Sequence, residues 1–235
     1  MVNVDTVYQR VLALANKEQR GYITPQEFNL FANQAQMETF EQYFYDVNQY
    51  GRGPGNNTEY SDMLDILEEK ISLFKKQIVL TAINPSAKMY SIPAGCYRLG
   101  TLSYRGAEVE QIDAKELLYI ASSPLTSPTR TRPIYTRYEN ATGVDMLELF
   151  PKNLPGGTIV ATYVKQPERV YWGYNVVGSN ALHDSSNSKN FELHRSEEHA
   201  LVVKILAYAG ITLNKPGLVQ MGQQMDQIKE QKEKQ

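Results

Sequence analysis

Hydrophobic residues recur at helical spacing through the first third of the chain. Apolar side chains repeat every three or four residues from Val4 to Asn16, which predicts a short amphipathic helix. The sequence Thr24-Pro25-Gln26-Glu27 then supplies an N-cap, a proline at the first helical position and a capping box, so a long helix is expected to about Tyr50. After a glycine-rich turn, a third helix is predicted from Ser61 to Phe74. Residues 1–76 are therefore expected to form a helical hairpin region with a leading helix.

The middle of the chain changes to the alternating pattern of β-strands. Arg105-Gly106 and Asn140-Ala141-Thr142-Gly143 are typical of the turns that join adjacent strands, and Asp113 begins a predicted short helix to about Ala121. We expect residues 77–166 to form a small antiparallel β lobe. Its predicted strands are Gln77–Thr81, Met89–Ile92, Tyr97–Tyr104, Val109–Ile112, Ile134–Glu139, Met146–Phe150 and Thr158–Lys165.

Helical patterning returns near the C-terminus. Residues 167–190 contain scattered glycines and a serine-rich run, which predicts a long loop. Within residues 191–235, Ser196 is expected to cap a helix that ends at Gly210, and Pro216 is expected to open a last helix with a polar tail. The order helices, sheet, helices indicates an α+β fold. The N- and C-terminal helices are expected to pack as one bundle, with the small antiparallel sheet between them in sequence.

Charge and cysteine content narrow the classes of function. The chain has 235 residues and a formal net charge of −2, so it lacks the basic excess that phosphate contacts require in a tight DNA-binding protein, although a local basic patch stays possible. The one cysteine, Cys96, excludes an intrachain disulfide and is expected to be a buried apolar residue. No secretory signal and no membrane-spanning stretch is recognisable. We expect a soluble protein, made in a reducing cytoplasm, without a membrane partner.

Residues that could carry chemistry do not fall at useful spacings. His194 and His199 are five residues apart and would point to different faces of a helix, and His183 has no partner at metal-binding spacing. Asp145 and Glu148 would lie on opposite faces of a strand. We therefore predict a protein that is not an enzyme and has no catalytic, cofactor-binding or metal site. A carboxylate-dependent hydrolase using Asp145 and Glu148 is the distant alternative.

Aromatic residues indicate surfaces that become buried against other subunits. The chain has 16 tyrosines against one tryptophan, and tyrosine suits such surfaces, although compositional drift is an alternative explanation. The loop Thr129-Arg130-Thr131-Arg132 could contact a phosphate or a partner carboxylate, or could simply be solvated. The candidate interface residues are Tyr43, Tyr45, Arg130, Arg132, Tyr171, Trp172, Tyr174, Pro216, Leu218, Met221 and Met225.

Several segments of the chain resemble a known family of proteins. The opening stretches 4–12 (VDTVYQRVL) and 16–29 (NKEQRGYITPQEFN) resemble virion structural proteins of tailed phages. Residues 163–167 (YVKQP), 191–194 (FELH) and 207–210 (AYAG) are similar to elements of the adaptor proteins that sit under the portal. The helix–sheet–helix order also resembles the adaptors of short-tailed phages and the ring proteins of crAss-like phages. The chain is thus similar to head–tail connector proteins of tailed bacteriophages.

This resemblance implies a structural role in the virion. Connector proteins of this kind form a homo-oligomeric ring, here of about twelve copies, that joins the portal to the next tail component and continues the DNA channel. Genomic DNA would pass through the lumen without specific binding. The expected location is the head–tail junction of a virion assembled in the host bacterial cytoplasm, with Ile211–Gln235 docking on the portal or a neighbouring subunit. Another ring of the tail, or one that anchors fibres, is the alternative.

Overall fold

A computed structural model describes residues 1–16, 23–50, 58–178 and 180–212, with side chains for all of these except 50, 58–63, 211 and 212. The chain divides into two compact units. The first, called here the helical unit, comprises Met1–Leu73 and Pro167–Gln235, and the second, the sheet unit, comprises Phe74–Gln166. The fold is mixed α+β, as the sequence predicts. Five α-helices are described: α1 (Val4–Asn16), α2 (Pro25–Tyr50), α3 (Thr58–Ser72), α4 (Ala114–Ser122) and α5 (Glu198–Thr212).

The predicted starts of the first two helices are confirmed. Helix α1 has the predicted bounds and buries the apolar face that its pattern indicates. At the start of α2, the Glu27 backbone N–H donates to the Thr24 Oγ1 at 3.3 Å, and the Thr24 backbone N–H donates to the Glu27 carboxylate at 2.9 Å. These reciprocal bonds form a capping box. The bond from the Thr24 backbone also holds the pKa of Glu27 below its usual value.

Helix α5 starts and ends differently from the prediction. A 3₁₀ turn, Arg195–Glu197, precedes it, and the residue that caps this turn is His194, whose Nδ1 accepts from the Ser196 backbone N–H at 3.3 Å. Ser196 therefore lies inside the turn and is not the cap. The helix also continues through Gly210 to Thr212. A glycine within a helix lowers its stability without forcing it to end, so glycine alone was an insufficient stop signal.

Packing between the helices and a shielded ion pair hold the helical unit together. Helix α5 packs against both α1 and α2, and α2 also packs against α3. Between α3 and the 3₁₀ turn, the Lys70 Nζ lies 2.9 Å from Glu197 Oε1, and both side chains are largely removed from solvent. The apolar interior includes Phe28 and Phe40 of α2 and Leu201 and Ile205 of α5.

The sheet unit contains one large sheet of eight strands, so the expectation of a small sheet was wrong. It was also expected to be wholly antiparallel, but β5 and β6 pair in parallel, because helix α4 and the loop after it separate them along the chain. The order across the sheet is β1-β8-β4-β5-β6-β7-β3-β2. The strands are β1 (Lys75–Val79), β2 (Ala82–Asn84), β3 (Met89–Ser91), β4 (Cys96–Tyr104), β5 (Ala107–Gln111), β6 (Ile134–Glu139), β7 (Asp145–Phe150) and β8 (Ile159–Lys165).

The sheet curls because its first and last strands are consecutive in the chain. Only Leu80 and Thr81 separate β1 from β2. The Leu80 N–H donates to the Ile159 carbonyl at 2.9 Å, on the β8 side, while the Thr81 carbonyl accepts from the Ser91 N–H at 3.3 Å, on the β3 side. Residues 75–84 thus form one bent ribbon that runs along both edges. One cluster of buried apolar side chains forms the core of the sheet unit and includes Tyr90, Leu102, Leu147 and Ile159.

The predicted turn between β4 and β5 is confirmed. Arg105 and Gly106 are the only residues between the two strands, and both have positive φ, 51° and 84°. Positive φ at both central residues defines a type I′ hairpin turn, whose twist matches that of the flanking strands.

Residues 167–190 contain more regular structure than the long loop that was expected. Strands β9 (Tyr174–Val177) and β10 (Asn180–His183) form a separate two-stranded antiparallel hairpin, called here the second hairpin. Gly178 lies in its turn with φ of 65°. No helix in the described part of the chain is both long enough and apolar enough to cross a membrane.

Candidate functional site

A row of amide side chains on α2 fixes the segment that leads into the second hairpin. Asn33 forms a two-way pair with Val170: its Nδ2 donates to the Val170 carbonyl at 2.8 Å, and its Oδ1 accepts from the Val170 N–H at 2.9 Å. One helical turn earlier, Asn29 makes the same pair of bonds with the backbone of Trp172, at 3.3 and 2.7 Å. Each amide therefore mimics a β-strand partner for an extended backbone.

Gln36 continues this row one turn later. Its Nε2 donates to the Glu168 carbonyl at 2.7 Å, and its Oε1 accepts from the Glu192 N–H at 3.1 Å. Gln36 is almost fully buried, so its amide needs both partners. The three amides lie four and three residues apart on one side of the helix, and they engage every second residue of the extended segment. We call this set, Asn29, Asn33 and Gln36, the amide ladder.

Trp172 anchors the base of the second hairpin. Its side chain is 2% exposed and its Nε1–H donates to Asp5 Oδ1 at 3.0 Å. The ring lies 4.2 Å from that of Tyr8, and Tyr174 and His183 stack on it at 5.9 and 5.4 Å with interplanar angles of 19° and 20°. Both strands of the hairpin thus contribute a ring to the same cluster, which fixes the hairpin to helix α1.

An aspartate, a histidine and a serine also meet at this base. His183 Nδ1 lies 3.8 Å from Asp5 Oδ1, and His183 Nε2 lies 3.0 Å from the Ser188 Oγ. The Ser188 hydroxyl accepts from the Gly173 N–H at 3.0 Å and lies 2.7 Å from the Asp184 carbonyl. The direction of the His183–Ser188 bond depends on which imidazole nitrogen carries the proton. Ser188 ties the His183 ring to the backbone of Gly173 and Asp184.

A compact turn follows β10. The Asp184 carboxylate accepts from the side-chain hydroxyl and backbone N–H of Ser186 and, at 2.7 Å, from the Asn187 amide. The Ser186 hydroxyl first, and then the Asn187 amide, hold the pKa of Asp184 below its usual value. The carboxylate is therefore charged at neutral pH and lies on the surface.

The tip of the second hairpin presents apolar side chains to solvent. Val176 is 67% exposed, Val177 60% and Leu182 54%. Val177 and Leu182 lie on one face of the hairpin and Val176 lies on the other, because side chains alternate along a strand. Exposed aliphatic side chains on both faces of a short hairpin, above a tightly packed base, are a feature of interaction sites. We call these residues the hairpin patch.

The predicted interface residues divide into buried, exposed and undescribed groups. Trp172 and Tyr43 were expected at an interface, but both are buried inside the helical unit, where Trp172 joins the aromatic cluster and Tyr43 lies under the Lys70 ammonium, 5.7 Å away. In this fold neither ring presents a surface to another subunit. Tyr45 and Tyr171 are exposed, while Tyr174 is half-buried by its stacking on Trp172. Pro216, Leu218, Met221 and Met225 lie outside the described residues.

The basic loop is exposed. The Thr129 N–H donates to the Arg132 carbonyl and the Arg132 N–H donates to the Thr129 Oγ1, both at 3.2 Å. This closed loop leaves Arg130 and Arg132 facing solvent. The loop belongs to the sheet unit, whereas the candidate tyrosines belong to the helical unit.

The carboxylates of the alternative hydrolase are each held by a cation. Arg137 Nη2 contacts Asp145 Oδ2 at 2.8 Å, and the Lys152 ammonium pairs with Glu148. The bond to Asp145 also raises the pKa of Arg137. The structure thus gives the two carboxylates separate partners. Among the described residues, no three potential metal-ligating side chains come together.

A cluster of polar side chains joins α2 to α5. The largely buried Lys204 Nζ lies 3.1 Å from Glu38 Oε1 and 3.2 Å from Gln42 Oε1, and Tyr208 donates to the other Glu38 oxygen. Burial raises the pKa of Glu38, but the Tyr208 hydroxyl and the Lys204 ammonium outweigh it, so that its pKa lies below the usual value. Glu38 is therefore charged when it holds the two helices.

Sequence reasoning missed the amide ladder and the hairpin patch. The signal for the ladder was present as Asn29, Asn33 and Gln36 at helical spacing in a helix rich in amides. Its partner segment could not be identified, because backbone acceptors more than 130 residues away leave no mark in the sequence. Cys96 is half-buried at the sheet core, and burial raises the pKa of its thiol.

No family model matches the sequence of the chain, and no curated protein matches it significantly.

Proposed function

We propose that the chain is a virion structural protein that forms a homo-oligomeric ring of about twelve copies, connects the portal to the tail and continues the DNA channel. The observation that carries the oligomeric part is the hairpin patch. Its side chains are mostly exposed, while the base of the same hairpin is held by Trp172, Asp5 and the amide ladder. A rigid support for exposed aliphatic side chains is a feature of protein–protein docking sites.

The position at the head–tail junction rests on the sequence resemblance described above. Helix α5 contacts α1 and α2, which supports the further proposal that the N- and C-terminal helices act as one bundle. The near-neutral charge of the chain suits a channel through which DNA slides without being held. In the proposed assembly the partners are other copies of the chain, the portal and the next tail component.

Another ring of the tail, or one that anchors fibres, would use the same surfaces. Exposed Val176, Val177 and Leu182 serve any ring equally well, so only the position in the particle separates these roles. The hydrolase alternative is less favoured, because Arg137 and Lys152 engage the two carboxylates it would need.

Removing the C-terminal segment tests the connection to the portal. A chain that ends before Pro216 keeps every residue that the structure describes. We expect the shortened chain to keep its circular dichroism spectrum and melting temperature but to lose co-purification with the portal. Normal binding of the shortened chain to the portal would contradict the proposed role of this segment, and the full-length chain is the control.

A further inference from the structure

The outer edge of β1 is open within the described part of the chain. Strand β1 pairs with β8 along one edge, and no described strand pairs with the other. All five of its residues are exposed, including Ile78 at 38% and Val79 at 56%. An open edge presents a row of backbone N–H and C=O groups that can accept an added strand.

The second hairpin has the complementary property. Strands β9 and β10 pair only with each other among the described residues, so the outer edge of each is open. A sheet of two strands is marginally stable in water and gains from a third strand. Leu182, the exposed aliphatic residue of β10, also favours the added strand, because it loses contact with water where a neighbouring strand lies beside it.

Charge favours one orientation of an added strand. Strand β1 begins with Lys75 and Lys76, whereas β10 ends at His183 and is followed by Asp184. In β1 the backbone groups of Gln77 and Val79 face outward, and in β10 those of Ala181 and His183 do, because the alternate residues are bonded to β8 and β9. An antiparallel arrangement that pairs these groups sets Val79 opposite Ala181 and Ile78 opposite Leu182. The same register brings the Lys76 ammonium opposite the Asp184 carboxylate. A parallel arrangement would bring the lysines to the uncharged turn of the hairpin.

We propose that β10 of one copy of this chain adds to the open edge of β1 in a second copy, antiparallel, and forms a sheet that continues across the two copies. This inference rests on the proposed function, because it takes assembly of the chain as given. The donor hairpin belongs to the helical unit and the acceptor strand to the sheet unit. The contact is therefore heterologous, the type that generates a ring when its rotation closes.

Cross-linking between single-cysteine copies tests this contact directly. In the full-length chain with Cys96→Ser, one variant carries Val79→Cys and another carries Ala181→Cys. The two are mixed and treated with a bis-maleimide reagent. A reagent about 10 Å long, roughly twice the cross-strand Cβ separation, tolerates a small shift in register. Because each variant has one cysteine, a product that contains both variants joins two copies.

The control cysteine replaces Leu125, which is 93% exposed and lies outside the proposed contact. We expect the 79–181 product to exceed the 125–181 product at least about tenfold, since a specific pair is held close whereas a surface cysteine reacts only by collision. Equal yields of the two products would overturn the inference. The double variant Lys75→Glu, Lys76→Glu should lower the 79–181 yield by about tenfold, because a glutamate at position 76 then faces Asp184.

Sedimentation of the same samples separates this inference from the proposed function. Oligomers that form with the 79–181 cross-link support the contact. Oligomers that form without that cross-link overturn it and leave the ring proposal standing on another interface. A chain that stays monomeric at every concentration also overturns the contact, while the particle location of the protein is decided by microscopy of the virion.

Discussion

At the scale of single residues, Trp172 links the second hairpin to helix α1. It combines nearly complete burial with a hydrogen bond to Asp5 and three ring contacts. It is the residue through which the base of the second hairpin becomes part of the helical unit, so its removal affects both the core and the hairpin.

Trp172→Ala is expected to lower the free energy of unfolding by about 3–5 kcal/mol, the range for removing a buried large aromatic side chain. Chemical denaturation followed by circular dichroism measures this change. The neighbouring Tyr171 is 44% exposed, and Tyr171→Ala is the matched control, with an expected change within about 0.5 kcal/mol. Similar losses for the two variants would show that Trp172 is not an anchor.

The amide ladder makes a sharper prediction at the same scale. Asn33→Asp keeps the shape of the side chain and the acceptor for the Val170 N–H but removes the donor to the Val170 carbonyl. The Val170 carbonyl would then face a carboxylate instead of a donor, which should lower the free energy of unfolding by about 1–3 kcal/mol. The exposed Gln34→Glu, an equivalent amide-to-acid change one residue along α2, should cost much less. Equal costs would contradict the ladder.

At the scale of elements, the sheet depends on tight connections. The turn at Arg105-Gly106 joins β4 to β5, and the positive φ of both residues gives it the type I′ conformation. Residues 75–84 provide the second connection, because their bend at Leu80 lets one ribbon serve both edges of the curled sheet.

Gly106→Ala tests the turn. An alanine at φ of 84° is strained, and we expect a loss of about 1–2 kcal/mol in the free energy of unfolding. Gly156→Ala is the matched control, because no atom lies within 4 Å of the added methyl group and Gly156 does not have positive φ. Thermal melting of both variants measures the difference, and an unchanged melting temperature for Gly106→Ala would refute the turn assignment.

Sequence patterns identified the elements with strong local signals. Helix α1, the Thr24–Glu27 capping box and strand β6 all have the features that were predicted, because periodicity and capping residues act over a few positions. Strand β2 was missed because it has three residues and owes its pairing to the bend at Leu80. The parallel pairing of β5 with β6 depends on the connection between them, which no local pattern specifies.

The same limit applies to the candidate site. Trp172 was expected at a surface because glycines and polar residues surround it, and a loop was expected to leave it uncovered. Its burial comes from Tyr8 and Asp5 at the other end of the chain. Strands β9 and β10 were missed because the glycines and the serine-rich run that flank them favour a loop.

At the scale of the whole molecule, two surfaces are available for assembly. Within the residues that the structure describes, the sheet unit has an open strand edge at β1, and the helical unit has a hairpin with exposed aliphatic side chains. Two different surfaces per copy are what a closed ring of identical subunits requires. A ring also explains why exposed aliphatic side chains are tolerated, since assembly would cover them.

Electron cryo-microscopy of the intact virion tests the central claim most directly. We predict a ring of this chain immediately beneath the portal, with the DNA channel running through it. Density for the chain at another ring of the tail would support the alternative structural role. Its absence from the purified particle would contradict the proposed function.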